Sequence, residues 1–190
     1  MAMFLVGLAL FLALHSLSIV APDSRDRLAA RLGEGPWKGL YSLLSLAGLV
    51  LLVAGFAAAR GTSAVLYSPP VALRYVALAL MLPVFPMVLA AFLPGRVGAT
   101  LKHPLLLATK TWALAHLLAN GTLLDVILFG ALLAWAVANR IALKHRPART
   151  LPSARPGRFN DLIAVGLGLA LYAAFLGGLH RWLIGVSPLG

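Results

Sequence analysis

Residues 39–58 read GLYSLLSLAGLVLLVAGFAA, twenty consecutive positions without a charged side chain. A helix rises 1.5 Å per residue, so about 20 apolar residues cross the hydrocarbon core of a bilayer. Backbone facing lipid must satisfy its own hydrogen bonds, as a helix or within a closed barrel. Barrel strands are about half this length and alternate apolar with polar residues. The run has neither property, so it reads as a membrane helix. Working outward, similar blocks occupy about 3–21, 71–93, 104–119, 122–143 and 162–184. The expected fold is all-α: a polytopic membrane bundle of about six transmembrane helices, forming a single domain over residues 1–190. Composition agrees, with 61% hydrophobic and 11% charged residues, against roughly 45–50% and 25% in soluble domains.

Breaks between the blocks carry their own signals. Gly35-Pro36 is expected to end any helix formed by the Arg25–Arg31 stretch. Pro83 and Pro86 predict a kink in the third span, where neighbouring helices satisfy the freed carbonyl. Pro104 suits a first helical position. Asn120-Gly121 signals a tight turn between spans four and five. The first block lacks a basic leader, and Arg25, Arg27 and Arg31 come after it instead, which predicts a retained span rather than a cleaved signal.

The chain has 16 Lys and Arg against 5 Asp and Glu, a formal net charge of +11. Confinement of these charges to a few connecting segments argues against nucleic acid and for basic loops held in the cytoplasm. Segments 22–38, 94–103 and 140–160 hold four, two and six basic residues. The opposite side holds Arg60, Arg74 and Arg181, and Lys110 lies within a span. Both termini are therefore expected outside the cytoplasm. Lys144–Arg158, rich in Pro and Arg, reads as a cytoplasmic loop suited to anionic lipid. Cysteine is absent, which removes disulfides, thiolate metal sites and thiol nucleophiles.

Ionisable groups inside a membrane are costly and mark function. The candidates are His15, Lys110, His116, Asp125 and His180, with His103 at a boundary; His145 falls in a basic loop and is expected to be solvated. The ligand set is nearly pure imidazole, which suits zinc, copper, iron and nickel. A catalytic zinc usually needs three clustered protein ligands. A haem iron held by two histidines needs only two, between apolar walls. His15 lies about 9 Å from the cytoplasmic end of its span, and His103 opens span four. His116 is about 20 Å further along and about 140° around an ideal helix from His103. His15 and His103 therefore share the inner half, and His116 and His180 the outer half. Lys110, seven residues after His103, is expected on the same helix face, able to meet a carboxylate such as a haem propionate or to snorkel. His116 is expected to order the turn after span four through Asn120, or to serve substrate chemistry.

Gly166, Ala170, Ala173, Gly177 and His180 form a small-residue stripe at helical spacing, a close-packing face. Trp37, Trp112, Trp135 and Trp182 are expected mostly as interfacial anchors. Met81 and Met87 flank the span-three prolines as gap fillers, and haem ligation by sulfur is not expected.

Several stretches resemble the NnrU family of bacterial membrane proteins: Leu14-His15-Ser16, Arg31-Leu32-Gly33-Glu34, Tyr41-Ser42-Leu43-Leu44-Ser45, Lys102-His103-Pro104 and, above all, Trp112-Ala113-Leu114-Ala115-His116-Leu117-Leu118-Ala119-Asn120-Gly121. Phe129-Gly130 and Leu133-Ala134-Trp135-Ala136 continue the match. The resemblance implies a place in the bacterial inner membrane, with both termini in the periplasm, and a link to nitrite and nitric oxide metabolism. The plant zeta-carotene cis–trans isomerase resembles this family and binds haem b through two histidines, which match His15 and His103. Its alternative cysteine ligand has no counterpart here.

These readings together predict a haem b protein, ligated by His15 and His103 with His116 the competing second ligand. They point to redox-dependent or isomerase-like chemistry on a hydrophobic small molecule, or to gas sensing. A non-catalytic accessory protein of nitrogen-oxide metabolism is the alternative. Lys102-His103-Pro104 also looks like a motif of isoprenylcysteine methyltransferases, although the aromatic expected after it is replaced by Leu106 and acidic residues are missing from 140–160.

Overall fold

A computed structural model describes residues 1–145 and 151–189. Arg146 and Arg149, counted in the basic loop, lie outside the described residues. The described chain is helical, with a single isolated bridge between Val65 and Thr122. It divides into two compact units, residues 1–65 with 122–124, and residues 66–121 with 125–190.

The first unit is built on α1 (Ala2–Val20) and α3 (Glu34–Ala59), joined by α2 (Pro22–Leu32). Glycine lets α1 and α3 meet backbone to backbone: a Cβ at Gly7 would fall on the main chain of Leu51 and Leu52, and one at Gly55 on that of Phe4. Such small-residue contacts replace the hydrophobic drive that is missing in lipid. The chain turns at Gly33, whose φ of 83° favours glycine. Gly35-Pro36 is not the break expected from sequence. Both residues sit in the first turn of α3, where proline costs nothing because that amide has no helical partner. Ser63 and Ala64 accept hydrogen bonds from the amides of Leu124 and Leu123, which ties residues 122–124 to this unit.

In the second unit, α4 (Val71–Met81) and α5 (Val84–Ala90) form one membrane-length path interrupted at Leu82-Pro83, the expected kink. A short α6 (Arg96–Leu101) precedes α7 (Pro104–Ala119). α8 (Leu123–Ala142) contributes to this unit from Asp125 onward. The last path is α9 (Asn160–Ala174), a kink within Phe175–Leu179 where Gly178 leaves the helical region at φ 143°, and α10 (His180–Ile184). α5 packs on α9 and on α7, and α4 packs on α7.

Among the described residues five paths are long and apolar enough to cross a bilayer: Ala2–Val20, Glu34–Thr62, Val71–Ala90, Leu123–Ala142 and Asn160–Ile184. The protein is a multi-pass membrane protein. The expected fourth span, α7, has 16 residues, about 24 Å at 1.5 Å per residue, just short of the usual range. Residue size is sorted as lipid demands. Ala108, Ala113, Ala115, Ala136 and Ala164 are fully buried, while Leu43, Val50, Leu162 and Leu167 lie exposed on the helix exteriors.

The predicted stripe on the last span is corrected by the contacts. Gly166, Ala170 and Ala173 are exposed, and nothing lies within 4 Å of a Cβ built at Gly166 or Gly177. The buried face carries Ala164 and Gly168, with Gly168 against Pro86 of α5. Spacing alone marks a row of small residues but not which row meets a neighbour. Among the tryptophans, Trp182 is exposed as an anchor would be, whereas Trp37 is buried and Trp112 lies packed in mid-helix.

Candidate functional site

His15 belongs to the first unit. Its Nδ1 bonds the Phe11 carbonyl at 2.7 Å, one turn back. In the neutral ring that bond places the proton on Nδ1 and the lone pair on Nε2. The ring stacks on Phe11 at 4.1 Å between centroids and tilts against Tyr41 at 5.7 Å. Tyr41 continues to Trp37, over which the Arg25 guanidinium sits at 5.3 Å. An aromatic wall thus runs from His15 toward the basic α2.

His103, in the second unit, caps α7 with φ −135° and ψ 62°. It comes directly after Lys102, whose φ of 59° closes α6. Because His103 precedes the helix, helical rotation does not relate it to Lys110 or His116, so the expected shared face with Lys110 loses its basis. Burial, then the charges of Arg140 and Lys102, hold the His103 pKa below the ordinary histidine value. The ring is therefore neutral at pH 7, the form that binds metal. Lys110 lies half-buried in mid-α7, and His145 is exposed, as expected.

His116 is enclosed by aromatics: Trp112 at 4.9 Å and Phe129 of α8 at 4.6 Å between centroids. Its Nδ1 bonds the Trp112 carbonyl at 2.9 Å. Asn120 does engage this residue, but through the backbone. Its Nδ2 and its own amide both donate to the His116 carbonyl at 2.9 Å, closing α7 before the turn. Tyr67 reinforces that end by donating its hydroxyl to the carbonyls of Leu117 and Asn120. His180 starts α10, and its Nδ1 bonds the Val186 carbonyl at 2.6 Å, reached because Gly185 ends the helix at φ 80°.

His116 and His180 come together, as their shared depth predicted. Both line a cavity of about 70 Å³ with Leu78, Met81, Phe85 and Phe175. Among the described residues no group of three or more His, Cys, Asp or Glu is placed to hold a metal.

A polar clasp escaped the sequence reading. The Asp161 carboxylate accepts the amides of Arg96 and Val97 at 2.8 and 3.0 Å, and Asn160 Nδ2 donates to the Pro94 carbonyl at 2.8 Å. Asn-Asp directly before an apolar run is a helix-start signal, and that was the available clue.

The NnrU protein family model matches residues 3–188. The chain belongs to the NnrU family. One family model thus runs through both units, and neither a curated protein nor a solved structure matches the chain. NnrU membership links this membrane protein to nitrogen-oxide metabolism.

Proposed function

We propose that this NnrU protein is a haem b protein of the bacterial inner membrane, with His15 and His103 as the axial ligands. The observation that carries the reading is the state of the His15 ring. Its Nδ1–H is given to the Phe11 carbonyl, the arrangement that fixes tautomer and orientation in metal-bound imidazoles. The donor set suits haem: two imidazoles, one stacked in an aromatic wall, the other a neutral ring beside Lys102 and Arg140, cations suited to propionates. Bound haem would supply one-electron redox chemistry or gas binding, on which isomerase-like chemistry of a hydrophobic molecule would depend. The protein's part is to orient both rings, to hold His103 neutral and to wall His15 with aromatic side chains.

The same Nδ1-to-carbonyl bonds, repeated at His15, His116 and His180, also suit purely structural histidines, as a non-catalytic accessory protein would use them. The absorption spectrum of protein produced with haem available separates the two. A low-spin Soret band is expected, lost in His15→Ala and in His103→Ala and retained in His180→Ala. If His116→Ala removes the haem while His103→Ala keeps it, the ligand pair is wrong.

Periplasmic termini are proposed on the same footing, and they require α7 to cross despite its length. A C-terminal reporter active only in the cytoplasm should be silent. A bright signal would overturn this orientation and, with it, the assignment of inner and outer histidines.

A further inference from the structure

The clasp at Asn160-Asp161 offers no ligand to haem, yet it begins a short series of fixed contacts that ends on His103. The first two amides of α6, those of Arg96 and Val97, have no carbonyl to bond within their own helix. The residue ahead of them is Gly95, which has no side chain to cap them. Asp161, in the first turn of α9, does so from 65 residues away. One carboxylate oxygen accepts the Arg96 amide at 2.8 Å and the other accepts the Val97 amide at 3.0 Å. Glycine at 95 is what admits it, since a Cβ there would fall on the Asp161 carboxylate. Asn160, itself buried, adds bonds to the Pro94 and Arg155 carbonyls at 2.8 and 3.1 Å.

On its other sides α6 is held by packing. A Cβ at Gly98 would lie 2.7 Å from the Ala90 carbonyl oxygen of α5. Leu101, the last residue of α6, packs against the core of Val84, Met87 and Ala108. The chain then passes through Lys102 at φ 59° and ψ −42°, and the His103 amide bonds the Leu101 carbonyl at 2.6 Å. Residues 101–103 therefore form a γ-turn of the positive-φ kind, which is rare and strained. Its central residue is a lysine, with no glycine to relieve it. Pro104 restricts His103 from the other side, because a proline bars the helical region to the residue before it.

Strained backbone persists only where its surroundings over-determine it, and such strain gathers at functional sites. Here the surroundings are the contacts of α6, and the carboxylate with two amide donors is the strongest polar one among them. We propose that Asp161 is a positioning residue for His103: by pinning the start of α6 it maintains the strained turn at Lys102 and so fixes the imidazole. The inference rests on the reading of His103 as an axial ligand and deepens it, since a ligand already ordered need not be ordered on binding.

The test uses the full-length protein in detergent and three variants of the clasp. Asp161→Ala removes the carboxylate, Gly95→Ala displaces it, and Asp161→Asn keeps one acceptor oxygen. Tyr172→Phe is the control: it removes a bond to the Leu78 carbonyl at 2.8 Å, in the same unit but away from α6. In haem-free protein, hydrogen exchange at the Arg96 and Val97 amides should quicken at least about tenfold in Asp161→Ala, the equivalent of one hydrogen bond to a charged group. The His103 ring, followed by carbon NMR relaxation, should pass from rigid to mobile. With haem loaded, Asp161→Ala and Gly95→Ala should turn part of the low-spin spectrum high-spin, as one loosely held axial ligand would. Asp161→Asn should fall between them and the wild type, and Tyr172→Phe should match the wild type throughout. A His103 ring as rigid in Asp161→Ala as in the wild type, or a spectrum altered equally by Tyr172→Phe, would overturn the proposal. If His103→Ala keeps its haem, the ligand reading fails instead, and ring mobility in haem-free protein still decides what Asp161 does.

Discussion

The two units handle the same solvent in opposite ways. In the first, α1 and α3 are long, unbroken, and pressed together at Gly7 and Gly55 until main chain meets main chain. In the second, most paths are interrupted: α4 gives way to α5 at Pro83, α7 stops at 16 residues, and the path of α9 kinks at Gly178. Continuous helices with glycine at the contact close the space between them. Interrupted helices cannot stay parallel along their length, and between α4, α5, α7 and the kink at Phe175–Leu179 they leave a small cavity whose lining includes His116 and His180. Breaks in regular structure thus open space that continuous, glycine-packed helices close.

The sharpest way to break this comparison is to add bulk at glycines of the two kinds. Gly7→Leu should cost at least the roughly 1–3 kcal/mol of an overpacked core, because the obstacle is backbone and cannot rotate away. Gly166→Leu, facing open space, should leave stability nearly unchanged. Resistance to unfolding in mixed detergent micelles measures both, and equal losses would refute glycine-mediated closure.

A smaller effect is expected at the end of α7. Tyr67→Phe removes the hydroxyl donated to the Leu117 and Asn120 carbonyls and should cost about 0.5–1.5 kcal/mol. Burial, then the Asp125 charge, raise the Tyr67 pKa above the ordinary tyrosine value. Its contribution is therefore full below about pH 10 and declines as pH rises through the native value. The gap between wild type and Tyr67→Phe should narrow in that range, and a gap that widens with alkali contradicts the assignment.

The smallest effect concerns His103. Its folded pKa lies below the unfolded value of about 6.5, so the neutral ring contributes stability above that pH, lost as pH falls through the window beneath it. A ring titration by NMR should give a midpoint under 6.5, moving upward in Arg140→Ala and Lys102→Ala. A midpoint at or above 6.5 would remove the claim that the fold keeps this ring neutral.

Much of the fold was legible because lipid imposes a single rule on every residue of a span. Long apolar runs could only be helices, and Pro83, Pro104 and Asn120-Gly121 marked real interruptions, since proline and turn residues act through local backbone geometry. The Gly35-Pro36 break was misread for the same local reason: a proline tolerated in a first turn looks, in sequence, like one that ends a helix. Gly33 did the turning instead. Of the candidate site, depth was readable by counting residues, and it correctly paired His116 with His180.

The sequence by itself determined that this is a helical membrane protein, where its long apolar blocks lie, and which NnrU motifs they carry. Hydropathy and charge are sums over residues, and folding does not change them. Only the tertiary structure decided which face of each helix is buried. Gly168 rather than Gly166 meets Pro86, and His180 comes beside His116 after a kink at Gly178, whose φ of 143° takes the chain out of the helical period. A pattern of period 3.6 has no means of announcing where that period is broken.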